Sequence, residues 1–342
     1  MTTIDLVLPF ALPPPELARD LLHQLKMPAL ATLLARGSLN WRRADPYSRL
    51  LPHQEWLMQH ADPELARSGL AATAMAALGL APAAGKWFVL HPASLHIARD
   101  HLVLTDLRQV RLDEMEARAL FEAAQPLFEE AGRELLYGSA GLWFMRADDW
   151  DALETSSPDS AAGHNIDIWM PRGTGERAWR KLHNEVQMTW HSLALNHLRE
   201  MSGRRPVNAL WCWDAGPASA PAAPTYDHAI SLLDAFLPVS PPSAMASLPE
   251  LIAKGGRSLA VVDTMTSSAL AGDWGDWIGA MQQAEQQWFA PLLQALAAGK
   301  VDKAGLVLTD SDRLAHGECG RMALKKFWVK PSLAGLAESP PG

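Results

Sequence analysis

SLAVVD, residues 258–263, and AGLVLTD, residues 304–310, are short apolar runs that each end in an aspartate. Runs of this length and composition are typical of strands that are buried on both faces of a sheet. Between them, apolar residues recur at helical spacing until Gly299 ends the run. These residues are Trp277, Ile278, Met281, Trp288, Leu292 and Leu296. The stretch therefore predicts a strand, a helix and a second strand.

This order predicts a βαβ unit, whose two strands run parallel to each other. Asp263 and Asp310 then lie at the carboxyl ends of strands, the edge where open α/β sheets bind their ligands. Two carboxylates at that edge are candidate ligands for a divalent cation, with help from Asp312 or His316. The competing interpretation is that both carboxylates cap helices or accept hydrogen bonds from loop amides.

Composition indicates an ordinary globular chain of 342 residues, long enough for two domains. The formal net charge of −8 and the lack of a sustained basic patch with interleaved aromatics argue against a nucleic-acid partner. Cys212 and Cys319 lack partners at metal-ligand spacing, and both are interpreted as buried thiols. No apolar run approaches a membrane span, so no membrane partner is expected and the cytoplasm is the expected location.

The order of patterns along the chain predicts a discontinuous core interrupted by an insert. Residues 4–10 predict the first strand and residues 15–35 the first helix, which Gly37 ends. The insert is expected at 86–173, where strand and helix patterns alternate differently. It begins with a hairpin around Ala-Arg-Asp at 98–100. The core is expected to comprise residues 1–85 and 174–342.

Three further segments belong to that interpretation. Residues 174–202 predict one helix, and VNALWCWD, 207–214, predicts another buried strand. The stretch AGPASAPAAPT, residues 215–225, is interpreted as a low-complexity linker. The tail AESPPG, 337–342, is expected to be disordered.

Residues 182–216 resemble a segment of the archaeal-type, cofactor-independent phosphoglycerate mutases, in which a helix with an early Asn precedes a His-Pro-x-Asn-x-x-Arg run. The matching residues are Asn184, Asn196, Arg199, Gly203, Asn208 and Gly216. MPALATLLARG (27–37), SLAVVDTMTSS (258–268) and LVLTDSDRLAH (306–316) also resemble family segments, in the same order. A proteobacterial subgroup of mutase-like, RpfE-type regulatory proteins is the most similar.

The resemblance implies an alkaline-phosphatase-like, doubly wound α/β core sheet with helices on both faces and a smaller inserted α+β domain. It implies that the strands ending at Phe10, Asp214, Asp263 and Asp310 share one sheet. It also implies that the 184–199 region lies on the substrate side of the cleft. The candidate ligand-binding residues there are Asn184, His191, Asn196 and Arg199. The alternative for this region is a helix packed on the sheet with Arg199 in a surface pair.

Several positions depart from the family pattern. The first strand ends in Pro9-Phe10-Ala11, where the family has a metal-binding Asp, and Ser267 and Ser311 stand where it has His. The candidate for the nucleophilic serine is Ser48, which lacks the Asp that follows it in the family. The His-Pro-x-Asn run reads Leu193-Ala194-Leu195-Asn196. Because phosphoryl transfer through a serine needs metal ions, these departures predict a degenerate site without a metal.

Other polar and aromatic residues have simpler interpretations. Asp273 and Asp276 are expected to cap the helix that follows them. His91 and His96 face opposite sides of a strand, and a surface pair of His96 with His101 is favoured over a metal site. The tryptophans, of which the chain has 14, are expected to fill cores and interfaces.

Three functions follow from these patterns. The leading hypothesis is a phosphoglycerate-mutase-like protein that is non-catalytic and regulatory, sensing a small phosphorylated or carboxylate ligand. The first alternative is an active phosphomutase or phosphohydrolase with a rearranged ligand set, whose cofactor would be Mn²⁺, Zn²⁺ or Mg²⁺. The second alternative is an interaction module that binds a protein partner.

Overall fold

The computed structural model describes residues 1–45, 47–61, 65–98, 100–217, 225–234, 236–237 and 247–338. The chain divides into two compact units, each described by itself. The core unit comprises Met1–Ala61, Pro224–Ala235 and Pro242–Gly342, and the insert unit comprises Asp62–Ala223 and Phe236–Pro241. No helix within the described residues is both long and apolar enough to cross a membrane.

The strands in chain order are β1 Thr3–Leu8, β2 Ser38–Arg43, β3 Lys86–Ala93, β4 Leu95–Ala98, β5 His101–Leu104, β6 Glu134–Ser139, β7 Leu142–Arg146, β8 Leu153–Glu154, β9 Arg172–Gly173, β10 Ala209–Pro217, β11 His228–Ile230, β12 Arg257–Val261, β13 Lys303–Thr309 and β14 Arg313–Gly320. The helices are α1 Ala18–Gln24, α2 Pro28–Arg36, α3 Pro52–His60, α4 Leu65–Ala77, α5 Glu114–Glu130, α6 Pro158–Ala161, α7 Glu176–His191, α8 Ala194–Met201, α9 Leu248–Lys254, α10 Thr266–Ala271, α11 Trp274–Ala284 and α12 Ala290–Ala297.

The core unit is built on a sheet with the strand order β11-β12-β1-β13-β14-β2. β12 and β13 both pair with β1 in parallel, as the βαβ pattern predicts. β14 runs antiparallel to both β13 and β2. The carboxyl ends of β12, β1, β13 and β2 therefore meet at one edge of the sheet, which is called the strand-end edge below.

The alternation of side chains along β1 shows why helices cover both faces of this sheet. Ile4, Leu6 and Leu8 point into the main apolar core together with residues of α1, α2, α9, α11 and α12. Asp5 and Val7 point to the opposite face, where α3 packs on β13 and β14. The predicted α/β core with helices on both faces is confirmed.

The helix expected between β12 and β13 is interrupted by a π turn at Glu285–Phe289, between α11 and α12. The turn places the buried Glu285 carboxylate at the start of α2, where it accepts hydrogen bonds from the amides of Ala29 (2.6 Å) and Leu30 (3.1 Å). A carboxylate at this position satisfies unpaired amides and complements the helix dipole. Asp273 caps α11 by accepting from the Asp276 amide at 3.0 Å, as predicted.

The helix predicted for residues 15–35 is also two helices, because the chain is extended at Leu25 and restarts with Pro28 at the first position of α2. Proline fixes φ and lacks an amide hydrogen, so it begins helices more readily than it continues them.

The insert unit has its own antiparallel sheet, with the order β10-β3-β7-β6. Its core contains large aromatic side chains of the sheet, such as Phe88 and Trp143, and the apolar face of α7, including Trp179 and Trp190. β4 and β5 form the expected hairpin beside it. The predicted inserted α+β domain is therefore present.

The structure of this unit differs from the sequence predictions in three ways. The strand ending at Asp214 pairs with β3 and not with the core sheet. The unit extends over 62–223 instead of 86–173, because β10 pairs with β3 and the apolar face of α7 packs in the core of the same sheet. The helix predicted for 174–202 is also divided into α7 and α8 at Ser192 and Leu193.

In the predicted hairpin turn, Arg99 lies outside the described residues. Most of the predicted linker, 218–224, and the end of the tail, 339–342, also lie outside them.

Candidate functional site

The strand-end edge of the core sheet is where the sequence predicts a ligand site. Asp310 directly follows β13, Asp263 follows β12 by two residues, and Phe10 follows β1 by two residues. Because β1 lies between β12 and β13, the two aspartates belong to strands whose axes are about 10 Å apart. The strand between them contributes no carboxylate at its end.

Phe10 occupies that central position in an unusual conformation. Its φ is 55°, in the left-handed region that residues other than glycine seldom adopt. Its carbonyl accepts a hydrogen bond of 2.7 Å from the indole of Trp277, and its ring lies edge-on to the buried imidazole of His53, with centroids 6.4 Å apart. An aromatic side chain and a buried histidine thus occupy the middle of the edge.

Asp310 is enclosed by Arg313. One carboxylate oxygen accepts from the amides of Asp312 (3.0 Å) and Arg313 (2.6 Å), and the other accepts from Nε (2.7 Å) and a terminal nitrogen (2.6 Å) of the Arg313 guanidinium. Arg313 is fully buried and also donates to the Pro13 carbonyl. Burial raises the pKa of Asp310, while the neighbouring Arg313 charge opposes that rise.

The other candidate metal ligands have different surroundings. Asp263 accepts a hydrogen bond from the hydroxyl of Thr266 at the start of α10. Asp312 lies 3.4 Å from the guanidinium of Arg43. His316 lies within β14 with its ring 5.9 Å from that of Trp56, and burial lowers its pKa.

These residues do not fit a divalent metal ion of the kind that the family resemblance implies. Within the described residues, no group of three or more His, Cys, Asp or Glu side chains is placed to hold one. The oxygens of Asp310 already accept hydrogen bonds from a buried cation and two amides. Asp310 accepts hydrogen bonds from two amides of the loop after β13, and Asp263 accepts one from the Thr266 hydroxyl. These are local contacts of the kind that the competing interpretation, capping and loop hydrogen bonds, predicts.

Ser48 has an acidic neighbour that the sequence did not reveal. Its hydroxyl donates a hydrogen bond to the carboxylate of Glu55 in α3, and the other carboxylate oxygen lies 3.4 Å from Arg42. A carboxylate that accepts the proton of a serine hydroxyl is the arrangement of a base beside a nucleophile. The seven-residue separation falls partly in a loop, so no periodicity could have predicted this contact.

In the insert unit, Asn196 and Arg199 are buried and their side chains bind the protein itself. The Asn196 amide donates to the carbonyls of Trp190 (2.9 Å) and Val207 (2.8 Å) and accepts from the Val207 amide (2.8 Å). Arg199 donates to the carbonyls of Arg205 (2.8 Å) and Val110, and to Glu116 (2.6 Å).

The four helical candidates are not brought together in one place. Asn184 and His191 are exposed. A cavity of about 440 Å³ is lined by His191 and Asn196, but not by Asn184 or Arg199. His197, Glu200 and Asn208 also line it. The ligand-binding role of the four residues stays a prediction, and the structure favours the packed-helix alternative for Arg199, with buried instead of surface partners.

The three histidines of the hairpin region have separate partners. His91 is buried: its Nδ1 donates to the Gly141 carbonyl at 2.8 Å and its Nε2 accepts from the Trp213 indole at 2.9 Å. Burial lowers the pKa of His91 to about 4, so the ring is neutral. His96 lies 3.1 Å from the Thr105 hydroxyl and His101 pairs with Asp100 at 3.0 Å. The predicted pair of His96 with His101 is not formed.

Other expectations for single residues hold. Cys212 and Cys319 are free, buried thiols, and burial raises the pKa of both. Six tryptophans are fully buried: Trp87, Trp143, Trp179, Trp190, Trp213 and Trp277.

The fold resembles that of an archaeal protein. The PH0037 protein from Pyrococcus horikoshii matches with a TM-score of 0.51 and 12% identity over 93% of this chain and 87% of that one. A cofactor-independent phosphoglycerate mutase from Thermoplasma acidophilum matches with a TM-score of 0.46 and 16% identity over 100% of this chain and 95% of that one. No family model and no curated protein matches the sequence. At these identities the likeness concerns the fold alone.

Proposed function

We propose that this chain is a phosphoglycerate-mutase-like protein, related to the RpfE-type regulatory subgroup, whose strand-end edge has lost its metal and phosphoryl chemistry. It acts as a regulatory or ligand-sensing protein. The motif resemblance in residues 182–216 supports the relationship. The observation that supports the loss of metal and phosphoryl chemistry is the Arg313–Asp310 pair. The carboxylate that follows β13 binds a buried guanidinium.

The physical reason is charge compensation. Serine-based phosphoryl transfer needs a metal ion to activate the hydroxyl and to neutralise charge on the transferring group. Arg313 neutralises Asp310 internally, and its guanidinium has no access to solvent with which to contact a phosphoryl group. Phe10 leaves the central strand without a ligand. The cytoplasmic location expected from the sequence stays part of this proposal.

The test is an assay of phosphoglycerate interconversion and of phosphate release, with Mg²⁺, Mn²⁺ or Zn²⁺ added. No metal-stimulated turnover is expected, and elemental analysis of the purified chain is expected to find no stoichiometric transition metal. Robust turnover with Mn²⁺ or Zn²⁺ that the Asp310→Ala substitution abolishes would overturn the proposal. An Asp20→Ala variant, changed at an exposed helix residue, serves as the control.

The hydrogen bond between Ser48 and Glu55 favours an active phosphohydrolase as the second candidate. In that case Glu55 accepts the hydroxyl proton as Ser48 attacks phosphorus and the P–O bond to the leaving alcohol breaks, and water then hydrolyses the phosphoserine; an added divalent metal ion would compensate the charge of the phosphoryl group. The two functions are distinguished by incubating the protein with p-nitrophenyl phosphate and Mg²⁺, Mn²⁺ or Zn²⁺. Phosphate release is measured, and mass spectrometry of the protein detects a phosphorylated serine. Phosphate release that Ser48→Ala and Glu55→Gln both abolish, while Asp310→Asn retains it, would favour this candidate. Equal background rates in all variants would eliminate it.

A further inference from the structure

The segment 321–330, RMALKKFWVK, carries an exposed group of large apolar side chains at the end of the core sheet. It follows β14 directly. Phe327 is 82% exposed, Trp328 69% and Met322 68%. The Phe327 and Trp328 rings contact each other edge-to-face, with centroids 5.3 Å apart and an interplanar angle of 79°. Side chains of this size are not left in water without a cost, so the group indicates a contact surface.

Basic residues flank this group in the sequence although the whole chain is acidic. Arg321, Lys325, Lys326 and Lys330 lie in the segment, and no acidic residue occurs from 321 to 337, whereas the formal net charge of the chain is −8. All four side chains are exposed, and none forms an ion pair with a carboxylate of the described residues. Lys326 donates to the Arg36 carbonyl at 3.1 Å, which places a fifth basic residue beside the segment.

We propose that this segment binds the surface of an anionic lipid bilayer. Tryptophan and phenylalanine favour the boundary between headgroups and acyl chains, while lysine stems extend so that their ammonium groups stay among anionic headgroups. Local positive charge on an acidic protein orients it, because the rest of the surface is repelled by the same membrane. Surface adsorption needs no membrane-spanning run, so it is compatible with the absence of such a helix from the described residues.

The geometry favours a bilayer over single-stranded nucleic acid. Bases stack on the open faces of aromatic rings, whereas the Phe327 and Trp328 rings contact each other edge-to-face, so part of one ring face is already covered. Met322, the third exposed side chain, offers no stacking face but adds apolar area for insertion. The proposal does not depend on the proposed function, since the segment contains none of the strand-end residues.

The experiment is co-sedimentation of the full chain with vesicles of phosphatidylcholine alone or mixed with phosphatidylserine. Binding is expected only to the anionic vesicles and is expected to weaken with added salt. The Phe327→Ser/Trp328→Ser variant should bind at least about tenfold more weakly, because two apolar anchors are lost. Lys325→Glu/Lys330→Glu should lose binding in the same assay.

A matched control is available in the insert unit. Leu198→Ser/Met201→Ser removes two side chains that are 65% and 85% exposed and should leave vesicle binding unchanged. No binding of the unaltered chain to anionic vesicles would overturn the proposal, as would an equal loss in the control variant. Binding to single-stranded oligonucleotides that depends on Trp328, without vesicle binding, would assign the segment to nucleic acid. A dimer that dissociates in the Phe327→Ser/Trp328→Ser variant, again without vesicle binding, would assign it to contacts between copies.

Discussion

The two units each contain an arginine that is almost completely buried and that binds a carboxylate and backbone carbonyls, but among the described residues only one of the two carboxylates has a second arginine as a partner. Arg313 in the core unit is 0% exposed and binds the buried carboxylate of Asp310. Arg199 in the insert unit is 1% exposed and binds two backbone carbonyls together with Glu116. Glu116 also receives two hydrogen bonds from Arg204.

The two arginines therefore have different roles. Arg313 neutralises a carboxylate at the strand-end edge, whereas Arg199 holds a helix in place. Arg313 pairs with a carboxylate at the edge of the sheet where the sequence predicts a ligand site, so its presence bears on the proposed function. Arg199 ties α8 to the backbone near Val110 and Arg205. These contacts are packing contacts within the insert unit, and the ligand-binding role of Arg199 stays a prediction.

The largest effect is expected from Arg313→Met. Removing one partner of a buried pair leaves Asp310 charged and unpaired, so the free energy of unfolding should fall by about 3–5 kcal/mol. The loss should be smaller in acid. Burial raises the pKa of Asp310, and the Arg313 charge that opposes this rise is missing from the variant. In acid the folded variant therefore holds Asp310 protonated and without a buried charge. The variant loses this stability as pH rises through the pKa of Asp310. Guanidinium chloride unfolding at acidic and neutral pH measures both effects.

The Asp310→Asn/Arg313→Met double variant is the control for that measurement. Because it removes the unpaired charge, it should be more stable than Arg313→Met alone at neutral pH. If Arg313→Met instead matches the unaltered chain in stability, the pair is not the buried charge compensation described above.

The second largest effect is a loss of stability in acid that originates in the insert unit. Burial lowers the pKa of His91 from 6.5 to about 4, so the unfolded chain takes up a proton that the folded chain does not. This contribution, about 3 kcal/mol, is fully present above pH 6.5 and is lost as pH falls towards 4. His91→Gln should reduce the slope of stability against pH in that window.

His183, whose pKa burial also lowers to about 4, should preserve part of the slope in that variant. Met188→Gln, changed at a 76% exposed side chain of α7 that does not titrate, should leave the slope as it is. Urea unfolding followed at several pH values tests this, and an unchanged slope in His91→Gln would contradict the assignment.

The βαβ unit of the core could be predicted from sequence because its strands are buried on both faces and therefore lack polar interruptions. The insert boundary could not, because the sequence does not say which strand β10 pairs with or which sheet α7 covers. In the structure β10 pairs with β3, and Trp179 and Trp190 of α7 pack against residues distant in sequence.

The candidate site follows the same division. The missing carboxylate at Phe10 could be read directly from the sequence. Asp310 and Arg313 are only three positions apart, so their contact is local. The burial of the pair, however, depends on Pro13, which is distant in sequence. The contact between Ser48 and Glu55 depends on the path of a loop, which has no periodicity to read.

The smallest of the three effects is expected from Arg199→Met. Glu116 keeps its bonds to Arg204, so no carboxylate is left unpaired, but the carbonyls of Val110 and Arg205 lose their donor. Orphaned carbonyls of this kind cost roughly 1–3 kcal/mol in total here, less than an unpaired buried charge. Arg204→Met, in which the lost side chain is 39% exposed, should cost less still. Guanidinium chloride unfolding should rank the losses in free energy of unfolding, from largest to smallest, as Arg313→Met, Arg199→Met and Arg204→Met.

Calorimetric titration with 3-phosphoglycerate tests the opposite outcome. If Arg199→Met keeps full stability but loses binding of that anion, Arg199 is a ligand residue and the contrast with Arg313 fails.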